Sequence, residues 1–106
     1  MCDTYLEITS TNTPKTATAS AGITTVIHGY GSNLCFSFTG TEMTPRESNV
    51  VQVKLKGKFP CGPAVCAQAL LNVRDTVTIN TQQTGSYYLK FFNGNFLVKT
   101  DPVIVN

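Results

Sequence analysis

Gly85-Ser-Tyr-Tyr-Leu-Lys-Phe-Phe-Asn-Gly-Asn-Phe-Leu-Val-Lys-Thr100 reads as two strands closed by a two-residue turn at Asn93-Gly94. Asn-Gly flanked by alternating apolar residues is a strong hairpin signal, because a type I′ turn needs positive φ at both central residues and this pair tolerates it best. With Asn93 and Gly94 as the loop, Phe92 faces Asn95, Phe91 pairs with Phe96, Lys90 with Leu97, Leu89 with Val98 and Tyr88 with Lys99. Side chains alternate along a strand. Tyr87, Leu89, Phe91, Phe96 and Val98 therefore form an apolar face expected to be core. Tyr88, Lys90, Phe92, Asn95, Leu97 and Lys99 form a mixed outer face.

Upstream of the hairpin, Val50 to Phe59 shows the cleanest alternation, with Val51, Val53 and Leu55 against Gln52, Lys54, Lys56 and Lys58. Asp3 to Thr9 reads as a first strand, Ile23 to Tyr30 as another ending in a turn at Gly29-Tyr30-Gly31-Ser32-Asn33, and Thr76 to Ile79 as a short strand with Val77 and Ile79 inward. Leu34 to Phe38 is expected to be a strand with Phe36 and Phe38 on one face, and Gly40 to Ser48, polar and holding Pro45, a loop. Ser10 to Thr18, with Pro14, reads as a connector or an edge. The apolar stretch Ala64 to Val73 is short and follows Pro63, so strand or a single helical turn is expected there. About seven strands with turn signals between them and no βα alternation give an all-β chain, an antiparallel β-sandwich over residues 1–106 as a single domain.

At 106 residues the chain hides roughly two-thirds of its unfolded surface, enough for one modest core. A net charge of +2 implies no field that would steer nucleic acid or an anionic membrane. Only 13% of residues are charged, below the roughly 25% usual for soluble domains, and Thr is abundant while Trp is absent. Such a composition suits an exported β protein. The N-terminus lacks the basic and hydrophobic regions of a signal peptide, so the expectation is a cytosolic protein or one whose export signal has been removed.

Cysteine usage favours export. Cys2, Cys35, Cys61 and Cys66 allow three connectivities. The short spacing Cys61-Gly-Pro-Ala-Val-Cys66 favours a local bridge, which leaves Cys2 to pair with Cys35. Zinc would want Cys-x2-Cys pairs or added His, and a thioredoxin-type centre needs Cys-x-x-Cys; neither pattern is present. One alternative makes Cys2 the lipid-bearing cysteine of a processed bacterial lipoprotein, the sole route to a membrane tether, at the cost of an unpaired Cys35.

Gln83-Thr84-Gly85-Ser86-Tyr87 followed by Leu89 and Phe91 resembles the turn into the penultimate strand of immunoglobulin-like domains, where a tyrosine hydroxyl bonds back to the preceding corner. Tyr87 matches that tyrosine. Leu89 stands where antibody domains carry a core cysteine, and no partner Trp exists, so the likeness is to the wider immunoglobulin-like group. Gly85, Ser86, Tyr87, Leu89, Phe91 and Val103 to Val105 are also similar to the ending of short domains in exported bacterial envelope proteins and lipoproteins. That resemblance covers roughly the last third of the chain and implies a fold and a cell-envelope or extracellular location, but no activity.

The catalytic inventory is sparse. His28 is the one group suited to general-base work near neutrality, and a lone strand His is more often structural. Asp3 and Glu7 share a strand face but read as solvated carboxylates, and no Gly-x-Ser-x-Gly, Ser-x-x-Lys or His-Glu-x-x-His motif occurs. The expectation is a non-enzyme without cofactor or metal, probing a protein or glycan ligand as a monomer. Its candidate surface is Tyr88, Lys90, Phe92 and Leu97 on the outer face of the hairpin, since grouped aromatics with a polar rim mark partner surfaces. Lys54, Lys56 and Lys58 form a stripe that fits an anionic glycan or, more simply, protection of a strand edge. Two rival functions remain open. One is a secreted enzyme inhibitor presenting Gly29 to Asn33, Gly40 to Ser48 and Pro60 to Cys66; the other is a carbohydrate-binding module stacking sugars on Tyr88 and Phe92.

Overall fold

In the computed structural model, which describes residues 1–47 and 49–106, the chain is all-β with eight strands. They are β1 (Cys2–Asn12), β2 (Thr16–Ala17), β3 (Ile23–Gly31), β4 (Ser37–Pro45), β5 (Val50–Phe59), β6 (Leu71–Ile79), β7 (Gly85–Asn93) and β8 (Phe96–Val105). The sheet runs β2-β8-β7-β5-β1-β3-β6, with β4 on β5 off this path. It curls over a single core into an elongated body of 50 × 21 × 20 Å. No described helix is long and apolar enough to cross a membrane.

β1 makes the curl. Its first half, Cys2 to Leu6, pairs with β5; its second half, from Glu7 to Asn12, pairs with β3, with a bulge between Ile8 and Ser10. Bulges bend and twist a strand, and here the bend carries β1 from one layer into the other. At the crossover the Ile8 N–H donates to Asn93 Oδ1 at 2.7 Å, which satisfies a backbone donor where the strand changes partners. Gly29 lets β3 close on this point, since a Cβ there would strike the Glu7 carbonyl and Leu55 Cδ1.

The expected all-antiparallel arrangement is corrected. β7 runs parallel to β5, with Val50 opposite Tyr88 and Lys54 opposite Phe92, and β2 runs parallel to β8. β5 is central: β4 lies along one edge, while β7 and the start of β1 divide the other. Its lysines therefore do not guard an edge. The alternation itself holds, with Val53 and Leu55 fully buried and Lys56 and Lys58 exposed.

The hairpin forms with a different turn. The loop residues are Gly94 and Asn95, flanked by paired Asn93 and Phe96, and only Gly94 takes positive φ, at 59°. Glycine first in a two-residue loop is the requirement of a type II′ turn. It leaves Asn93 on the strand, free to serve Ile8. A bulge follows, since Phe92 pairs with Leu97 but Phe91 with Lys99, leaving Val98 over. The extra residue reverses the alternation of β8. Tyr87, Leu89 and Phe91 are buried as expected, but Phe96 and Val98 are exposed and β8 contributes Val103 and Val105 to the core instead.

Other boundaries shift. Gly29 to Gly31 belongs to β3 instead of a turn, β4 starts at Ser37, and the stretch from Gly40 to Pro45 expected as a loop is strand paired to β5; Ser48 lies outside the described residues. Pro45 is tolerated because β4 is an edge strand. Residues 60–70 are irregular, and β6 begins only at Leu71.

Both disulfides exist, with connectivity Cys2–Cys61 and Cys35–Cys66. The expected pairing is overturned by register: Cys2 faces Phe59 across β1 and β5, so Cys61, two residues on, arrives beside it. Leu34 N–H donates to the Ala67 carbonyl at 3.2 Å, which holds Cys35 beside Cys66. Two disulfides fit an oxidising, extracellular or exported setting. With its sulfur bonded to Cys61, Cys2 has none left for a thioether-linked lipid.

Two threonine–aspartate clasps seal the flanks. On one, Thr11 and Thr13 hydroxyls each donate to Asp101 Oδ2 at 2.6 Å, Thr13 also bonds Thr25 Oγ1 at 2.7 Å, and Lys99 Nζ lies 3.3 Å from Asp101 Oδ1. On the other, Thr41 Oγ1 donates to Asp75 Oδ2 at 2.6 Å.

Candidate functional site

Tyr88, Lys90 and Phe92 point outward from β7 because Tyr87, Leu89 and Phe91 fill the core. Leu97 stands directly across from Phe92, and cross-strand partners share a face, so all four expected patch residues lie on one surface. Tyr88 and Leu97 are exposed, while Lys90 and Phe92 are half-buried.

Parallel pairing of β7 with β5 adds members that sequence reasoning missed. Lys54 is opposite Phe92, and its Nζ sits 5.7 Å from the Phe92 ring centroid and 4.9 Å from that of Tyr5 on β1. An ammonium over aromatic faces gains about 0.5–1 kcal/mol at such exposed sites. The Tyr5 hydroxyl donates to Glu42 Oε2 at 3.1 Å. That hydrogen bond, slight burial and the charges of Glu42 and Asp3 push the Tyr5 phenol above its ordinary value. Four strands thus place Glu42, Tyr5, Lys54 and Phe92 in one row. Tyr5 sits at an outward position of an alternating strand, a legible signal; its meeting with Phe92 depends on the parallel pairing.

The lysine stripe is not a bare cationic track. Lys54 is engaged by the rings, Lys58 Nζ lies 3.1 Å from Asp3 Oδ1, and Lys56 lines a groove of about 640 Å³ with Asp3, Glu7 and Glu42. Asp3 and Glu7 share the outer face of β1, as their spacing implies. Glu7 is opposite Tyr30, and hydrogen bonding to its carboxylate together with its charge raises the Tyr30 phenol. His28 is exposed on β3 opposite Arg74 of β6. Among the described residues no group of three or more His, Cys, Asp or Glu is placed to hold a metal ion.

Of the three loops considered for inhibition, Gly29 to Asn33 and Gly40 to Ser48 are largely strand, whereas Pro60 to Cys66 is a loop anchored through both of its cysteines. Tyr87 forms the expected corner: its hydroxyl donates to the Gln83 carbonyl at 3.0 Å.

A protein-family model described as the ORF11 β-sandwich domain matches residues 25–103, well over half of the chain. The chain belongs to this family. The matched span of the ORF11 β-sandwich domain runs from within β3 to within β8, and so holds the β5–β7 parallel pair and the hairpin that carries the patch. No curated protein and no solved structure gives a significant match.

Proposed function

We propose that this ORF11 β-sandwich domain is a non-enzymatic recognition module of an exported protein, acting in the cell envelope or outside the cell. It engages a partner protein through the outer face of β1, β5, β7 and β8. The observation that carries this reading is Lys54 held between Tyr5 and Phe92, which fixes a flat surface with Tyr88 and Leu97 exposed beside it. Rigid aromatics lose little entropy on docking, and Lys54 and Lys90 favour a partner surface bearing carboxylates. The carbohydrate reading is less well served, because the ammonium of Lys54 already covers the Phe92 ring that a sugar would stack on.

A photo-crosslinking residue at position 88, compared with one at exposed His28 on the opposite layer, tests this in cells that express the protein. Cross-links to a discrete partner from position 88 alone, weakened by Lys90→Glu, are expected. Equal labelling from both positions would sink the proposal. Glycan-array binding lost in Tyr88→Ala would return the site to the carbohydrate reading.

A further inference from the structure

Two free strand edges border the flank closed by Thr41 and Asp75. β6 ends the sheet path and β4 pairs only with β5, so among the described residues neither has a strand on its outer side. Thr41 and Asp75 join them midway; beyond that bond, toward Pro45 and Ile79, they part around a cleft of about 440 Å³. Val50, Val51 and Ile79 line it with the more exposed Met43, and the side-chain amides of Asn80 and Gln82, both exposed, add polar lining. The core is slightly open here. Val51, Ile79 and Tyr87 line the cleft and keep 6–7% exposure, whereas Val53, Leu55, Leu89 and Phe91 have 0%.

The free edges differ in kind. The edge of β8 is blunted by its bulge, by Lys99 and by Pro102, and that of β4 by a bulge between Phe38 and Gly40, the usual devices against strand addition. β6 has no bulge, Lys or Pro: it pairs with β3 from Ile23–Ile79 to Gly31–Leu71 without a register shift, and its two charges, Arg74 and Asp75, lie before the segment Thr76 to Ile79. Its outer backbone donors and acceptors are a regular template, and the cleft lies beside its last two residues, Thr78 and Ile79.

We propose that an extended polypeptide segment of a partner adds as a short strand along Thr76 to Ile79, placing one aliphatic side chain in the cleft. Strand addition takes affinity from main-chain hydrogen bonds and specificity from pockets for alternate side chains. The segment carries a basic residue, because Glu47 lines the cleft and no described lining residue is cationic. A second copy fits poorly: the outward residues of its β6 at this level are Thr76 and Thr78, with Ile79 held in its own core, so it offers no free aliphatic group. This site is independent of the aromatic face.

Panning a phage-displayed library of random dodecapeptides on the intact, disulfide-bonded domain tests the proposal. Enriched peptides are expected to alternate, with an aliphatic residue near a Lys or Arg, and to slow amide exchange from Thr76 to Asn80. Met43→Trp, which fills the mouth from a partly exposed position, is expected to weaken them at least tenfold. Gln82→Lys, on the exposed rim, should weaken them by repelling the basic residue, while Tyr88→Ala leaves them unchanged. No enrichment, peptides that perturb Tyr88 and Phe92 instead, indifference to both cleft variants, or β6 protection that arises only through dimerisation would each overturn it.

Discussion

Asp101 is the most heavily used polar residue in the sandwich. It is 9% exposed, accepts from Thr11 and Thr13, and sits beside Lys99, whose Nζ also donates to Thr11 Oγ1 at 2.8 Å. Hydrogen bonds to a charged group contribute about 1.5–3 kcal/mol, and removing one partner strands the others. Asp101→Ala should therefore destabilise the domain by about 3 kcal/mol, and Asp101→Asn, which keeps one acceptor oxygen, by less. For a domain of this size the alanine variant lowers Tm by on the order of 12–20 °C, readable by thermal denaturation. Tyr5 gives a second test. Its folded phenol titrates above the ordinary value, so the Tyr5–Glu42 contact contributes fully below the unfolded value near 10 and is lost as pH rises through the raised one. Glu42→Ala should move the Tyr5 titration downward, followed by its ring carbon shifts. An unchanged midpoint would mean that Glu42 is not the cause.

Among the elements, the junction of the β7–β8 hairpin with β1 rests on one side chain, Asn93. Asn93→Ala leaves the Ile8 N–H without its acceptor at the crossover and should cost about 1–3 kcal/mol by denaturant unfolding, whereas Asn95→Ala, exposed in the turn, should cost under 1. This residue also marks where sequence reasoning stops. Asn93-Gly94 correctly announced a hairpin, and Val51, Val53, Leu55, Leu89 and Phe91 correctly announced a core, because turn chemistry and period-two alternation are local. Which of Asn93 and Asn95 enters the turn is decided by a contact with Ile8, remote in the chain. The bulge at Val98 then turned a correct hairpin into a wrong core list for β8. Likewise the short Cys61–Cys66 spacing suggested a local bridge, while the long-range register of β1 on β5 decided the pairing. Tyr88, Lys90, Phe92 and Leu97 were legible as one face because alternation in β7 is unbroken; Lys54 and Tyr5 were not, because parallel pairing leaves no signature in a single strand.

Across the whole molecule the covalent constraints are lopsided. Both disulfides lie where β1 starts and β5 ends, whereas the 440 Å³ cleft lies where β5 begins, ten residues of strand away. By loop-closure entropy, links spanning 59 and 31 residues contribute about 4 kcal/mol each, acting on the unfolded ensemble as a whole. Local opening follows a different rule, set by burial and hydrogen bonding near each amide. The stapled pole includes the irregular 60–70 segment, with exposed Val65 and Leu70, and rests on the two bonds for its order. The cleft pole rests on the β4–β5 and β6–β3 ladders and on the Tyr87 corner. Oxidised protein should therefore show fast amide exchange from Asn80 to Gly85, a mostly exposed connection between the β6 and β7 ladders, with residues 60–70 comparatively protected for a loop. Mild reduction that leaves the fold intact should raise exchange at residues 60–70 and 32–36 while leaving the cleft pole unchanged. Uniform acceleration at both poles would instead mean that the disulfides hold the sandwich together globally, with no local division between its ends.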